Sequence, residues 1–195
     1  MIIKHRVNSI DELKKTSCKY GIELDIRSIE GKVSVTHDIT LTAPTFKNWL
    51  DNYNHGLLAL NVKEDGLEEQ ILKLLADYGI SNYFFLDQPF PTLRKCLEKG
   101  ISSAIRISEH ENFPESINLE MDWVWVDSFY GNWDRVFEKI VEIENDKLRY
   151  CLVSPELQKR APDYEIEQIC KKIESYGIKV EAVCTKFPEL WSQLE

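Results

Sequence analysis

The segment Tyr20-Gly21-Ile22-Glu23-Leu24-Asp25-Ile26 shows the pattern that organises the whole chain: a glycine, an apolar residue and then a strand. Successive side chains of a strand lie on opposite faces, so Glu23 and Asp25 share one face and the aliphatic residues between them share the other. The same junction of helix, glycine, apolar residue and strand recurs at Gly79, Gly100 and Gly177. Because glycine commonly follows the end of a helix, the repeat predicts helices and strands in regular alternation.

Eight strands are predicted from short apolar runs. They are Ile2–Val7, Gly21–Ile26, Leu57–Lys63, Tyr83–Asp87, Ala104–Ser108, Trp123–Asp127, Arg149–Val153 and Lys179–Val183, with a short extra strand at Lys32–Thr36. Amphipathic stretches between them predict helices at Ile10–Tyr20, Leu67–Tyr78, Thr92–Lys99, Asn132–Glu144 and Glu165–Tyr176. Strands that alternate with helices favour a parallel sheet, and eight is the number that closes a (β/α)8 barrel.

We therefore expect an α/β protein in which residues 1–195 form a single domain, a compact (β/α)8 TIM barrel with minimal loops and no cap insertion. An open doubly wound sheet is the alternative, and the lack of a GxGxxG motif after the first strand counts against it.

Composition narrows the class of protein and its partners. The chain has 195 residues, is 43% hydrophobic and 29% charged, and carries a net charge of −9. This negative charge disfavours nucleic acid and anionic membranes as partners. No apolar run approaches the ~18 residues that span a bilayer, so no stable membrane insertion is expected. The five cysteines are scattered and form no CxxC pair, which predicts reduced thiols. The first residues lack the features of a secretory signal, so a cytoplasmic location is expected.

Polar residues stand late in nearly every predicted strand, where the active sites of such barrels lie. In the first 38 residues they form three groups: His5-Arg6, Glu23 with Asp25, and His37-Asp38. Later strands contribute Asn61, Lys63, Asp87, Arg106 and Asp127. Histidine exchanges protons near neutral pH, and carboxylates suit hard cations. Arginine and lysine bind phosphate oxygens, so the set favours metal-assisted acid/base chemistry on a phosphate ester.

Four segments resemble the glycerophosphodiester phosphodiesterase group of the phosphatidylinositol-phospholipase-C-like superfamily, a group of (β/α)8 barrels. The segments are KHRVNS at 4–9, IELDIR at 22–27, VTHD at 35–38 and LNVKE at 60–64. The first three match the HR, ExD and HD motifs of the group in order, and LNVKE holds the place of its ExK motif with Lys63 retained; together they cover about the first 65 residues. The rest of the chain is similar to the group only in its alternation of strands and helices.

The resemblance implies a role for each matching residue. Glu23 and Asp25 would bind a divalent metal, Ca²⁺ or Mg²⁺, and His5 and His37 would exchange protons with the nucleophile and the leaving group. Arg6 and Lys63 would stabilise phosphate charge, and Asn61 stands where the group has a third carboxylate ligand. From their positions in the strands, Arg106, Asp87 and Asp127 are expected either to contact the substrate or to form salt bridges inside the barrel mouth.

These residues predict a metal-dependent phosphodiester hydrolase that acts on a small sugar- or glycerol-linked phosphodiester. The 18 residues between Asp38 and Leu57 leave little room for a cap, so the mouth should be open. Asn8 lies where the group has a PENT segment, and it is a candidate additional ligand.

Two alternatives remain open. Asn61 brings no charge, so the chain could be a non-catalytic module that binds a phosphorylated ligand. It could also be a metal-free isomerase or lyase with Lys63 as electrophile. The oligomeric state is not assigned.

Overall fold

The structure, a computed structural model, describes residues 1–143 and 145–191, apart from the side chains of 117–119. The strands are β1 Ile2–Lys4, β2 Gly21–Ile29, β3 Lys32–Val35, β4 Leu58–Val62, β5 Tyr83–Leu86, β6 Ala104–Ile107, β7 Trp123–Val126, β8 Arg149–Val153 and β9 Val180–Thr185. The α-helices are α1 Ile10–Lys15, α2 Phe46–Leu50, α3 Glu68–Asp77, α4 Phe90–Glu98, α5 Trp133–Val141, α6 Pro162–Tyr176 and α7 Pro188–Trp191. Two 3-10 helices cover Glu115–Glu120 and Pro155–Gln158.

Eight parallel strands form one sheet in the order β5-β4-β2-β1-β9-β8-β7-β6, while β3 pairs antiparallel with β2 outside this path. The two end strands meet through a parallel bridge between Phe85 and Ser103 and through a 3.0 Å hydrogen bond from the Phe85 N–H to the Ser102 carbonyl. This contact makes the sheet a nearly closed barrel. The predicted (β/α)8 fold is confirmed, and the carboxyl ends of all eight parallel strands meet at one mouth.

The core has one part inside the barrel and two parts outside it. Inside, Phe84 stacks on Trp123 with ring centroids 4.8 Å apart, and Trp125 packs beside them. Outside, the aliphatic face of β2 packs against α2 and α3, and the outer faces of β7 and β8 pack against α5 and α6. A parallel sheet covered on both faces needs apolar residues on both, which explains the nearly continuous apolar strands in the sequence.

The predicted helix Ile10–Tyr20 is too long, because the helix ends at Lys15. Its start is confirmed, since the Ser9 hydroxyl accepts the Glu12 N–H at 3.1 Å as an N-cap. Thr16 then turns to an extended conformation. The predicted helix Asn132–Glu144 covers α5, and its last residue lies outside the described residues.

Helix α2 was not predicted, although it occupies the helix position between the second and third parallel strands. It has five residues, too few for a periodic pattern to show in the sequence. Phe46, Trp49 and Leu50 are nevertheless buried against the barrel. Tertiary packing therefore forms this helix, and the segment between His37 and Leu57 is a barrel helix with its loops rather than a cap.

Two predictions made from composition are also tested by the structure. Within the described residues, no helix is both long and apolar enough to cross a bilayer. The five cysteines all lie in the described part of the chain, and all are free thiols.

Gly21 is expected to be required at the start of β2, because a Cβ there would lie 2.8 Å from the Leu57 carbonyl oxygen and 3.1 Å from Ile3 Cγ1. Gly21→Ala should lower the free energy of unfolding by about 1–3 kcal/mol, the usual effect of overpacking. Gly56→Ala is the matched control, since its new Cβ would meet only the Met1 side chain, at 3.7 Å. Urea unfolding of both variants measures the difference, and equal stabilities would show that backbone contact does not require glycine.

Candidate active site

The candidate site lies at the carboxyl ends of three neighbouring strands, β4, β2 and β1. Glu23 and Asp25 point from β2 into the barrel and are 1% and 0% exposed. In the register of the sheet, Asp25 is opposite Asn61 of β4. The shared face predicted for the two carboxylates is the inner face of the barrel, so they enter the mouth together.

Glu23 receives hydrogen bonds from β4 and from the segment that follows β1. Its Oε2 accepts the Arg6 backbone N–H at 2.7 Å, and its Oε1 accepts the Asn61 amide at 3.3 Å. Burial, together with the nearby Asp25 charge, raises the pKa of Glu23 to about 7. Near neutral pH, this carboxyl group is therefore shared between its protonated and ionised forms.

The Arg6 backbone supplies that hydrogen bond because it adopts a left-handed conformation, with φ of 55°. A non-glycine residue rarely adopts this conformation, and such residues concentrate at functional sites. At this turn the side chains that follow β1 no longer alternate between the two faces of the sheet. The backbone N–H of Arg6 and the side chain of His5 therefore both face Glu23.

Asp25 is held by a ring of donors. Asn8 pairs with it twice, donating from Nδ2 to Oδ2 at 2.8 Å and accepting the Asp25 N–H at 2.9 Å. Lys63 Nζ lies 3.0 Å from Oδ1, and Arg6 Nε lies 3.4 Å from Oδ2. Two cations thus offset the charge of this fully buried carboxylate.

His5 is the imidazole that the structure brings to the carboxylates. Its Nε2 lies 3.7 Å from Glu23 Oε2, and its buried Nδ1 has no hydrogen-bond partner. Burial, followed by the charges of Arg6 and Lys186, lowers the pKa of His5 to about 4. The ring is therefore neutral at physiological pH and is able to accept a proton.

His37 does not contact this group in the described structure. Its ring is 40% exposed, and Nδ1 lies 3.0 Å from Asp38 Oδ1. Its carbonyl accepts the Arg27 Nε–H at 2.6 Å, which fixes the backbone after β3. The sequence predicted that His5 and His37 act as a pair, but the structure places His5 inside the mouth and His37 at its edge.

Arg106, Asp87 and Asp127 meet at the ends of β6, β5 and β7, where Arg106 forms ion pairs with both carboxylates. Gln158 also donates to both oxygens of Asp127, at 3.0 and 2.9 Å. Burial raises the pKa of Asp127, although Arg106 opposes this shift. Of the two roles that the sequence left open for these three residues, the structure shows salt bridges.

The inward position of Asp87 does not follow from strand alternation. Side chains two positions apart in a strand share a face, so alternation would put Asp87 on the face of Phe85. Phe85, however, packs outside the barrel, while Phe84 and Leu86 face the interior. Asp87 reaches Arg106 because it has a left-handed backbone, with φ of 58°. The strand thus ends in a turn that redirects the side chain.

The atoms that suit a hard cation are Asn61 Oδ1, which is buried and accepts no hydrogen bond, and Asp25 Oδ1, which is buried and paired only with the Lys63 ammonium group. With Glu23 they form an oxygen donor set of the kind that Ca²⁺ or Mg²⁺ binds. Among the residues that the structure describes, no cluster of three or more His, Cys, Asp or Glu side chains is arranged around a common metal position. A metal here would therefore depend on the Asn61 amide oxygen.

Sequence reasoning missed two residues at the ends of β8 and β9. Lys186 follows β9, beside His5, and its charge helps to lower the pKa of that histidine. Glu156 Oε1 accepts the Thr185 hydroxyl at 2.7 Å and the Lys186 N–H at 2.8 Å, which fixes this corner of the mouth. Lys186 could have been found from its place after a predicted strand, but nothing in the sequence marks Glu156, which lies in the 3-10 helix after β8.

Comparisons with known proteins agree with this architecture. The structure is similar to that of a glycerophosphodiester phosphodiesterase from Agrobacterium tumefaciens, with a TM-score of 0.69, 12% identity and 98% of each chain covered. It is also similar to that of a glycerophosphoryl diester phosphodiesterase from Parabacteroides distasonis, with a TM-score of 0.66, 14% identity and coverage of 100% of this chain and 86% of the other.

No protein-family model matches the chain, and no curated protein matches it in sequence. The chain thus has the (β/α)8 fold of glycerophosphodiester phosphodiesterases. The resemblance seen in the sequence motifs is confirmed at the level of the fold.

Glu23→Gln is expected to stabilise the protein at high pH. Because the pKa of Glu23 is raised, the folded state keeps a proton on this carboxyl group at a pH where the unfolded state has already released it. The free energy of unfolding therefore falls as the pH rises from about 4.5 through about 7. Glutamine resembles the protonated carboxyl group, with one acceptor oxygen, donor hydrogens and no charge, so the variant should be more stable than the wild type at pH 8 by about 3 kcal/mol.

The difference should vanish near pH 4.5, as measured by urea unfolding with a chelator present. Glu12→Gln, at an exposed position in α1, is the control and should show no such trend. A pH-independent difference between the Glu23 variant and the wild type would contradict the assignment.

Proposed function

We propose that this protein is a metal-dependent phosphodiester hydrolase with two-histidine acid/base catalysis. The observation that carries the proposal is the convergence of His5, Arg6, Glu23, Asp25 and Lys63 in one barrel mouth. This set combines a neutral imidazole, two cationic side chains and buried carboxylates. The fold shared with two phosphodiesterases supports the same reaction class.

His5 is the general base of the proposal. Because burial and nearby cations lower its pKa to about 4, the ring is unprotonated at neutral pH and can take a proton from an attacking water. Its free Nδ1 and its position beside Glu23 leave the ring available to a nucleophile in the mouth.

His37 is the general acid of the proposal and protonates the leaving alcohol. Asp38 Oδ1, 3.0 Å from its Nδ1, orients the ring. Its position at the edge of the mouth suits contact with the part of the substrate that departs.

Arg6 and Lys63 supply positive charge for the phosphate. Both approach Asp25 from the solvent side, with the Arg6 side chain 47% exposed and that of Lys63 20% exposed. Preorganised cations stabilise the charge that develops on the non-bridging oxygens in the transition state.

The oxygens of Glu23, Asp25 and Asn61 fit a divalent cation, Ca²⁺ or Mg²⁺, as the cofactor. The Asn61 oxygen is buried without a hydrogen-bond partner, so it is available as a ligand, whereas Asp25 Oδ1 is ion-paired with Lys63 and a cation would take the place of that ammonium group. A bound cation would neutralise phosphate charge. The neutral amide of Asn61 makes this donor set less charged than three carboxylates, so the phosphate of the substrate is expected to strengthen metal binding.

The substrate class we propose is a small sugar- or glycerol-linked phosphodiester. The connection over the mouth between β3 and α2 is short, so it leaves the site open to such groups. The site is proposed to act in the cytoplasm and without nucleic acid, in keeping with the net charge of −9.

His5→Ala is expected to lower kcat for phosphodiester hydrolysis by about 10²–10⁴-fold, the usual contribution of a positioned general base. A panel of glycerol- and sugar-linked phosphodiesters, assayed with Ca²⁺ or Mg²⁺, provides the measurement. His110→Ala is the matched control, because His110 is also a histidine near the mouth but is exposed and packs on Tyr130. Unchanged turnover in the His5 variant would refute the proposed base.

Calorimetric titration of Ca²⁺ and Mg²⁺ should show binding to the wild type that is lost in Asp25→Asn. Asparagine keeps the size of the side chain but removes the charge that a hard cation requires. Asp38→Asn, at an exposed carboxylate beside the mouth, is the control and should bind as the wild type does. Absence of binding even with a phosphodiester analogue present would argue against a metal cofactor.

A binding module without turnover is the second candidate, and one observation favours it. Lys63 and Arg6 already offset the charge of Asp25, so the site can hold an anionic ligand without a metal. Phosphate binding that is indifferent to metal, in a protein that hydrolyses no phosphodiester, would support this function.

The ion pair of Lys63 disfavours the lyase alternative, since an imine requires the free amine.

A further inference from the structure

Lys186, the residue directly after β9, lies on the mouth side of the barrel. Strands β1 and β9 pair in parallel with Ile3 opposite Cys184, and the His5 N–H continues this ladder by donating to the Thr185 carbonyl at 2.9 Å. Ile3 and Cys184 both face the barrel interior. No left-handed backbone interrupts β9 or the two residues that follow it. Because side chains two positions apart share a face, His5 and Lys186 both point toward the mouth.

The backbone of Lys186 is held in place by the carboxylate of Glu156. Oε1 of this carboxylate accepts the Lys186 N–H at 2.8 Å and the Thr185 hydroxyl at 2.7 Å, and Oε2 accepts the Ser154 hydroxyl. The Lys186 carbonyl in turn accepts a hydrogen bond from the Lys4 ammonium group. The stem of the Lys186 side chain therefore starts from a fixed point, which lowers the entropic cost of binding a ligand.

The positive charge of Lys186 is uncompensated, which separates it from Arg6 and Lys63. Those two side chains are both paired with Asp25. The Lys186 side chain is exposed, and its ammonium group forms no ion pair or hydrogen bond within the described part of the chain. Its charge nevertheless acts on the site, since it contributes to the lowered pKa of His5. Lys186 thus offers the mouth a cation that no described carboxylate neutralises.

We propose that Lys186 is a further substrate-binding residue, whose ammonium group binds a non-bridging oxygen of the scissile phosphate beside His5. The inference rests on the proposed function and adds a residue to its site. Asp25 balances part of the charge of Arg6 and Lys63, so a cation without an acidic partner adds net attraction for the phosphate. Lysine suits this contact because it is a point charge on a flexible stem, able to follow the oxygen as charge develops on it.

Calorimetric titration with inorganic phosphate, with Mg²⁺ and again with a chelator, tests the contact without requiring turnover. Lys186→Met keeps a side chain of similar length without the charge. It should weaken phosphate binding by about tenfold, the usual effect of losing a hydrogen bond to a charged group. Lys186→Arg should keep most of the affinity, because it keeps the charge. Lys147→Met is the matched control, since Lys147 is an exposed lysine before β8, at the opposite end of the barrel.

Hydrolysis of bis-para-nitrophenyl phosphate, a soluble phosphodiester, is measured for the same proteins. Lys186→Met should lower kcat/KM by about 10²-fold, the usual loss when one preorganised donor to a developing oxyanion is removed. Thermal unfolding checks that each variant keeps the fold. Weaker phosphate binding with unchanged kcat/KM would mean that the anion bound by Lys186 is not the scissile phosphate, and equal losses in Lys147→Met would mean that the effect is not specific. Either result would overturn the proposal.

The two measurements separate this inference from the proposed function. A wild type that hydrolyses no phosphodiester, but whose phosphate binding is weakened by Lys186→Met, would refute the proposed function and support the contact of Lys186 with phosphate. Wild-type turnover that Lys186→Met leaves unchanged would refute the contact and leave the proposed function standing. Absence of both phosphate binding and turnover in the wild type would refute both.

Discussion

The buried charge of Glu23 and Asp25 is the constraint on which the mouth of this barrel depends. Two carboxylates removed from water on one strand repel each other and lose hydration, so each needs donors from the neighbouring strands. Asn8 and Arg6 supply them from the segment after β1, and Asn61 and Lys63 from β4 and its end. The site therefore forms only when β1, β2 and β4 are assembled side by side.

Buried carboxylates are compensated differently on the two sides of the mouth. Around β5, β6 and β7, Arg106 satisfies Asp87 and Asp127 directly, and Gln158 completes the cluster. Around β1, β2 and β4, buried acceptors remain without hydrogen bonds. The first arrangement is closed and supports the structure, whereas the second retains the capacity to bind a ligand or to move a proton. This asymmetry is the reason for proposing the chemistry beside β2.

The same buried environment separates the proton affinities of His5 and Glu23. Desolvation opposes the charged form of each, so the pKa of the imidazole falls to about 4 while that of the carboxyl rises to about 7. Titratable groups whose environments shift their pKa values in this way are characteristic of functional sites.

The sequence by itself determined the barrel and the inward face of β2, because glycine junctions and side-chain alternation are local properties of the chain. It also predicted that His5, Glu23 and Asp25 would meet, since parallel strands end at a common mouth. Only the tertiary structure decided the helix α2, the turn at Asp87 and the shifted pKa values. Those depend on packing, burial and charge between residues far apart in the chain, which no local pattern records.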